Sequence, residues 1–122
     1  MTSHVKSLPP TETPEEIRGA LGRGQICLID VREPGEYAAR RIAGALLYPL
    51  STFDVHAVPV GGRPVVLYCG TGKRSARALD MCARAGVPIR SYLAGGLEAW
   101  RVAGLPVIQT EPSTGAIRFV VV

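Results

Sequence analysis

Two short segments, Ile26-Cys27-Leu28-Ile29-Asp30-Val31 and Pro64-Val65-Val66-Leu67-Tyr68, are apolar at nearly every position and rich in β-branched residues. An amphipathic helix would place apolar residues every third or fourth position, and a strand with one wet face would alternate. Continuous runs of this length fit strands buried on both faces, as in a parallel sheet covered by helices. The intervening segments read as helices and short connections. Thr13-Pro14-Glu15-Glu16 is a helix start, with Thr13 as cap, Pro14 at the first helical position and Glu16 completing a capping box. Ile17, Ala20 and Leu21 then share a face, and Gly22 or Gly24 ends the helix. Pro34 to Arg40 reads as a short helix, and Ala45 to Tyr48 as a brief strand stopped by Pro49. Ser75 to Ala85 reads as a helix with Ala76, Leu79 and Ala83 on its apolar side, ended by Gly86 and Pro88. Arg90 to Leu93 is a further strand, and Leu97 to about Ala103 a helix after Gly95-Gly96. The alternation gives an α/β class with a mainly parallel sheet of about five strands and helices on both faces. Such sheets place their sites at the carboxyl ends of strands. Cys69 stands at one of those ends.

The segment Cys69-Gly70-Thr71-Gly72-Lys73-Arg74-Ser75 follows a strand and opens a helix. Gly70 and Gly72 permit backbone angles that turn successive N–H groups inward as an anion-binding nest. The helix N-terminus adds free N–H groups and partial positive charge. A sulfur at the centre of this ring is stabilised as thiolate, the nucleophilic form of cysteine. Lys73, Arg74 and Arg77 cluster at the start of the same helix, where each cation is disfavoured by roughly 0.3–1 kcal/mol. That placement predicts an anion among them. Further along, Asp80 and Arg84 are spaced to pair at i and i+4.

The other two cysteines have plainer settings. Cys27 lies inside a buried strand and Cys82 in mid-helix, so both read as packing residues. An odd number of cysteines argues against a disulfide framework, and the N-terminus has neither the apolar stretch of a secretory signal nor the pattern of a transit peptide. The expectation is a cytoplasmic protein. No run approaches the roughly 18–20 apolar residues of a membrane span. With His4 and His56 isolated and no Cys-x-x-Cys, no metal site and no cofactor is expected. The net charge of +4 is moderate and aromatics are only 6%, which does not suit a nucleic-acid track. Arg40 and Arg41 taken alone read as solvated surface.

At its central loop the sequence resembles the rhodanese-like sulfurtransferases. Leu28-Ile29-Asp30-Val31-Arg32 followed by Glu36-Tyr37 looks like the family's "D-V-R…E-[YF]" segment, and Ile42-Ala43-Gly44-Ala45 its "I-x-G-A" segment. Cys69-x-x-Gly72-x-Arg74-Ser75 is similar to its active-site loop, and Leu93-x-Gly95-Gly96 with Ala99-Trp100 to its late signature. The resemblance runs from about Thr13 to Val107. It divides the chain into a rhodanese-like domain, residues 1–107, and a C-terminal extension, residues 108–122. The resemblance implies a three-layer rhodanese-like fold and a persulfide on Cys69. A small anionic donor such as thiosulfate would load it, and a thiol, cyanide or protein cysteine would unload it. Gly70, Thr71, Gly72, Lys73, Arg74 and Ser75 would bind the sulfur and its donor. Asp30 and Arg32 would fix the neighbouring loop, or form a structural ion-pair set with Glu36. Where the family often has Gly-His before "I-x-G-A", this chain has Arg40-Arg41, a difference that bears on donor preference.

Two rival functions use the same residues. A small phosphatase or arsenate reductase would place five residues between its cysteine and arginine and surround a tetrahedral anion. Only four separate Cys69 from Arg74, which suits one sulfur, and no nearby acid presents itself as a leaving-group donor. A non-catalytic sulfur-carrier or interaction module would dock its partner through the C-terminal strand. Gln109 to Gly115 reads as a linker or turn, and Ala116 to Val122 as an apolar segment that adds an edge strand or pairs two chains as a homodimer.

Overall fold

A computed structural model of the protein describes residues 10–122; the polar segment before Pro10, with His4, lies outside the described residues. In chain order the elements are β1 (Thr11–Glu12), α1 (Pro14–Gly22), β2 (Cys27–Asp30), α2 (Pro34–Ala39), β3 (Arg40–Arg41), β4 (Leu46–Leu47), β5 (Val65–Tyr68), α3 (Lys73–Arg84), β6 (Ser91–Leu93), α4 (Gly96–Val102), β7 (Val107–Thr110) and β8 (Ile117–Val120). The two apolar runs are the middle of the main sheet, whose order is β1-β6-β5-β2-β4. Every pairing in it is parallel. Among the described residues no helix is long and apolar enough to cross a membrane.

Side chains alternate across this sheet and separate two cores. Leu28, Val66 and Tyr68 pack with Ile17 and Ala20 of α1 and Leu97 and Trp100 of α4. Ile29, Val65, Leu67 and Cys69 pack with Ala78 and Cys82 of α3, with Leu50 and Val55 of two 3₁₀ turns and with Phe53 between those turns. Helix, sheet and helix therefore form three layers, and each fully buried aliphatic side chain contributes about 1.5–3 kcal/mol. The capping box at α1 is present: Glu16 N–H donates to Thr13 Oγ1 at 3.2 Å, and Thr13 N–H donates to Glu16 Oε1 at 2.8 Å. α3 begins at Lys73, two residues earlier than the expected Ser75. Its buried face is Ser75, Ala78 and Cys82, with Leu79 half-buried and Ala83 exposed. The small residues at this spacing let the helix lie close to the sheet.

The second sheet departs from the sequence reading. Its order is β3-β7-β8, with both pairings antiparallel. The segment from Gln109, read as a linker, is still strand to Thr110, and the turn begins only afterwards. The fifth strand of the main sheet is β1, and the C-terminal strand joins β7 instead. Arg40 and Arg41 are not free surface: they pair with Gln109 and Ile108. β8 pairs only with β7 among the described residues; Ile117 and Phe119 stand exposed along it, and Val121 just after it.

Candidate active site

β5 delivers Cys69 to the carboxyl end of the main sheet, where its side chain is buried. The chain then turns through Gly72, whose φ of +109° is strained for any residue with a Cβ. Gly70 has no positive φ, and within 4 Å a Cβ there would meet only the guanidinium end of the Arg74 side chain, at 3.2 Å. The nest thus needs glycine's freedom at Gly72 and not at Gly70. The Gly72 N–H donates to Cys69 Sγ at 3.1 Å and the Ser75 N–H at 3.3 Å, the latter from the first turn of α3. Burial pushes the Cys69 thiol up. The Ser75 side chain and the N–H groups of Ser75, Gly72 and Thr71 outweigh that, so its pKa lies below the ordinary thiol value. Burial pushes Cys27 and Cys82 the other way, which suits packing residues. Ser75 Oγ is buried, and among the described residues the Cys69 sulfur is the one group beside it that its hydroxyl can serve. It retains a donor for whatever that sulfur carries.

A second helix start holds the loop from outside. The N–H groups of Leu97 and Glu98 donate to the carbonyls of Cys69 at 2.8 Å and Gly70 at 3.0 Å. That contact explains Gly95-Gly96. A Cβ on Gly96 would lie 2.5 Å from Cys69 O and 2.6 Å from Gly70 C and O, and one on Gly95 would lie 2.6 Å from Ala99 Cβ. The N-terminus of α4 pins the carbonyls of the loop, so the loop's N–H groups stay turned towards the sulfur.

The cations are arranged differently from the simple cluster. Arg74 Nη1 and Nη2 donate to the two oxygens of Glu36 at 2.7 and 3.0 Å. The Arg74 guanidinium holds the Glu36 carboxyl down at about 2, against an ordinary 4.5. This stabilising contribution is present above pH 4.5 and is lost as the pH falls towards about 2. Lys73 is exposed and lines a depression on the other side of the loop, with Tyr92 and Gly95. Glu36 therefore joins α2 to the start of α3 and does not join Asp30 and Arg32. Those two form their own buried pair: Arg32 Nη2 donates to Asp30 Oδ2 at 2.7 Å and Arg32 Nε to Asp30 Oδ1 at 3.0 Å. Arg32 Nη2 also donates to the Arg40 carbonyl at 2.6 Å, and Tyr68 OH accepts from the Ile42 N–H at 3.1 Å. Removing one partner of such a pair costs about 3–5 kcal/mol, because a buried charge is left alone. The pair ties the end of β2 to β3 beside the loop.

An open cleft of about 510 Å³ lies over this site. Gly70 and Thr71 form part of its wall, facing Arg32, Arg40, Arg101 and Gln109. Two carboxylates, Glu36 and Glu98, also line it, where the sequence suggested no acid. Glu36 is ionised at neutral pH and has no proton to give. The chemistry available is nucleophilic attack by a thiolate whose charge is held by backbone N–H groups.

Comparison with known proteins agrees with this geometry. A family model described as a rhodanese-like domain matches residues 13–103. The chain is 37% identical over 102 residues to an uncharacterized protein of Synechocystis, covering 83% of this chain and 57% of that one, so it spans little more than half of that relative. It is 33% identical over 87 residues to a protein named sulfurtransferase from Allochromatium vinosum, covering 70% of this chain and 81% of the relative. The crystal structure of thiosulfate sulfurtransferase from Pseudomonas aeruginosa shares the fold, with a TM-score of 0.74, 23% identity, and coverage of 93% of this chain and 22% of that one.

Proposed function

The chain belongs to the rhodanese-like domain family, and on that premise we propose that it is a sulfurtransferase working through a persulfide on Cys69. The carrying observation is the buried Cys69 sulfur with the Gly72 and Ser75 N–H groups directed onto it. The Cys69 thiolate attacks the outer sulfur of an anionic sulfane donor. With thiosulfate, the new S–S bond forms as the old one breaks, and the electron pair leaves with sulfite. The persulfide keeps one negative charge, held by the same N–H groups and the Ser75 hydroxyl. A nucleophile such as a thiol, cyanide or a protein cysteine then attacks the terminal sulfur and regenerates the thiolate, a ping-pong cycle.

Intact-mass measurement after incubation with thiosulfate tests this. One added sulfur atom is expected, removed again by cyanide and absent from Cys69→Ser. An unmodified wild type that hydrolyses an aryl phosphate would refute the proposal in favour of a phosphatase. An adduct that forms but does not turn over would assign the chain to sulfur carriage.

A further inference from the structure

The charges around the cleft do not cancel. Three arginines line it, Arg32, Arg40 and Arg101, with two carboxylates, Glu36 and Glu98. Arg32 is neutralised from behind by Asp30, Glu36 is committed to Arg74, and Glu98 Oε1 accepts from Arg101 Nη1 at 3.0 Å. Arg40 is the one lining cation without a carboxylate partner among the described residues. Its Nε and Nη2 both donate to Gln109 Oε1, at 3.1 and 2.7 Å. A neutral amide oxygen thus aims the guanidinium without discharging it. The backbone at Arg40 is fixed as well, by the β3–β7 pairing and by Arg32. In addition Arg101 Nε is buried with no partner among the described residues. A fixed guanidinium with no carboxylate of its own, on the wall of an open cleft, suits a carboxylate ligand, which arginine binds by strong charge-assisted hydrogen bonds.

Size argues in the same direction. Thiosulfate has five heavy atoms and needs on the order of 150 Å³, at about 30 Å³ per water-sized group. The cleft is about 510 Å³, and clefts of this class hold organic molecules.

Resting on the sulfurtransferase reading, we propose that Arg40, positioned by Gln109, binds a carboxylate of the substrate, so that the preferred donor is an organic persulfide carrying a carboxylate remote from its sulfur. The step balances without oxidant or reductant. The Cys69 thiolate attacks the terminal sulfur of R–S–SH, a new S–S bond forms as the donor's own S–S bond breaks, and the electron pair leaves as R–S⁻. The proton stays on the transferred sulfur as Cys69–S–SH.

The test measures kcat/KM for sulfur transfer from glutathione persulfide and from its dicarboxylate ester, in wild type, Arg40→Gln and Arg40→Lys, with intact mass of Cys69 read alongside. The wild type is expected to favour the free acid by roughly 10- to 100-fold, the size of a charged hydrogen bond. Arg40→Gln should bring acid and ester within about twofold, and Arg40→Lys should retain part of the preference. Because the readout is a ratio, turnover of the ester reports that each variant is folded. A ratio unchanged by Arg40→Gln, or a wild type indifferent to the ester, overturns the carboxylate site while the Cys69 adduct still stands. Absence of an adduct with every donor overturns the sulfurtransferase reading, and this site with it.

Discussion

Gly96→Ala tests whether α4 holds the cysteine loop in shape. The new methyl would sit 2.5 Å from the Cys69 carbonyl oxygen and 2.6 Å from two atoms of Gly70, all of them backbone. No rotamer relieves this, so the helix start and the loop must part by nearly 1 Å to restore ordinary contact. That separation breaks the bonds from the Leu97 and Glu98 N–H groups, now 2.8 and 3.0 Å long, each contributing about 1 kcal/mol. Alanine at a φ of +62° costs a further 1–2 kcal/mol or so. The expected loss is about 3–5 kcal/mol, a large share of the roughly 5–15 kcal/mol of a typical domain. Thermal unfolding followed by circular dichroism should show a Tm lower by roughly 10–20 °C. Alkylation of Cys69 by iodoacetamide at neutral pH should also slow, because the displaced loop no longer directs its N–H groups to the sulfur. Gly35→Ala is the control: a Cβ there meets nothing within 4 Å, and the residue lies in α2, so stability should be unchanged or slightly raised. A Gly96→Ala protein with wild-type Tm and Cys69 reactivity would refute the idea that this contact shapes the site.

Two further outcomes follow from single side chains. Ser75→Ala keeps the backbone N–H but removes the hydroxyl that favours the thiolate, so the inflection in the pH dependence of Cys69 alkylation should move to higher pH. At a pH below it the rate should fall by roughly three- to tenfold, the worth of one hydrogen bond; an unmoved inflection would remove Ser75 from the account. The homodimer expected from the sequence would form through β8, where Ile117, Phe119 and Val121 are exposed beside an unpaired edge. Sedimentation should then show a concentration-dependent dimer that Phe119→Lys dissociates, and a wild type that stays monomeric at every concentration would end that expectation.

What was readable in the sequence was what depends on neighbours along the chain. Continuous apolar runs announce β2 and β5 because burial on both faces leaves no polar position. The capping box announces α1 because both partners lie within one turn. What was missed depends on partners far away in sequence. Val107–Thr110 has no continuous apolar pattern, and is a strand because β3 and β8 lie on either side of it. Arg40 and Arg41 carry no strand signal at all, and their pairing is decided by Gln109 and Ile108. On α3, Ala76-Leu79-Ala83 and Ser75-Ala78-Cys82 have the same helical period, and hydrophobicity favoured the first. The structure buries the second because Ser75 faces the Cys69 sulfur and small residues bring the helix close. Gly95-Gly96 was visible as a signature, but its reason, the approach to the Cys69 and Gly70 backbone, appears only in three dimensions.

The cations at the start of α3 raise the most instructive question. Their position implied an anion, and one is present within the chain: Glu36, which holds Arg74 by both oxygens. The nucleophile is therefore not stabilised by Arg74 as a simple counter-ion. Its charge is met by N–H dipoles at 3.1 and 3.3 Å, buried and fixed by the turn at Gly72 and by α4. Dipoles of this kind stabilise a sulfur anion without attracting anions from a distance, and salt does not screen them appreciably. On the proposed reading, attraction of the donor falls instead to Arg40, the cleft cation without a carboxylate partner among the described residues. On that same reading, reactivity and selectivity are carried by different groups on different elements. The first belongs to the family's loop, and the second to a segment where this chain departs from the family's pattern.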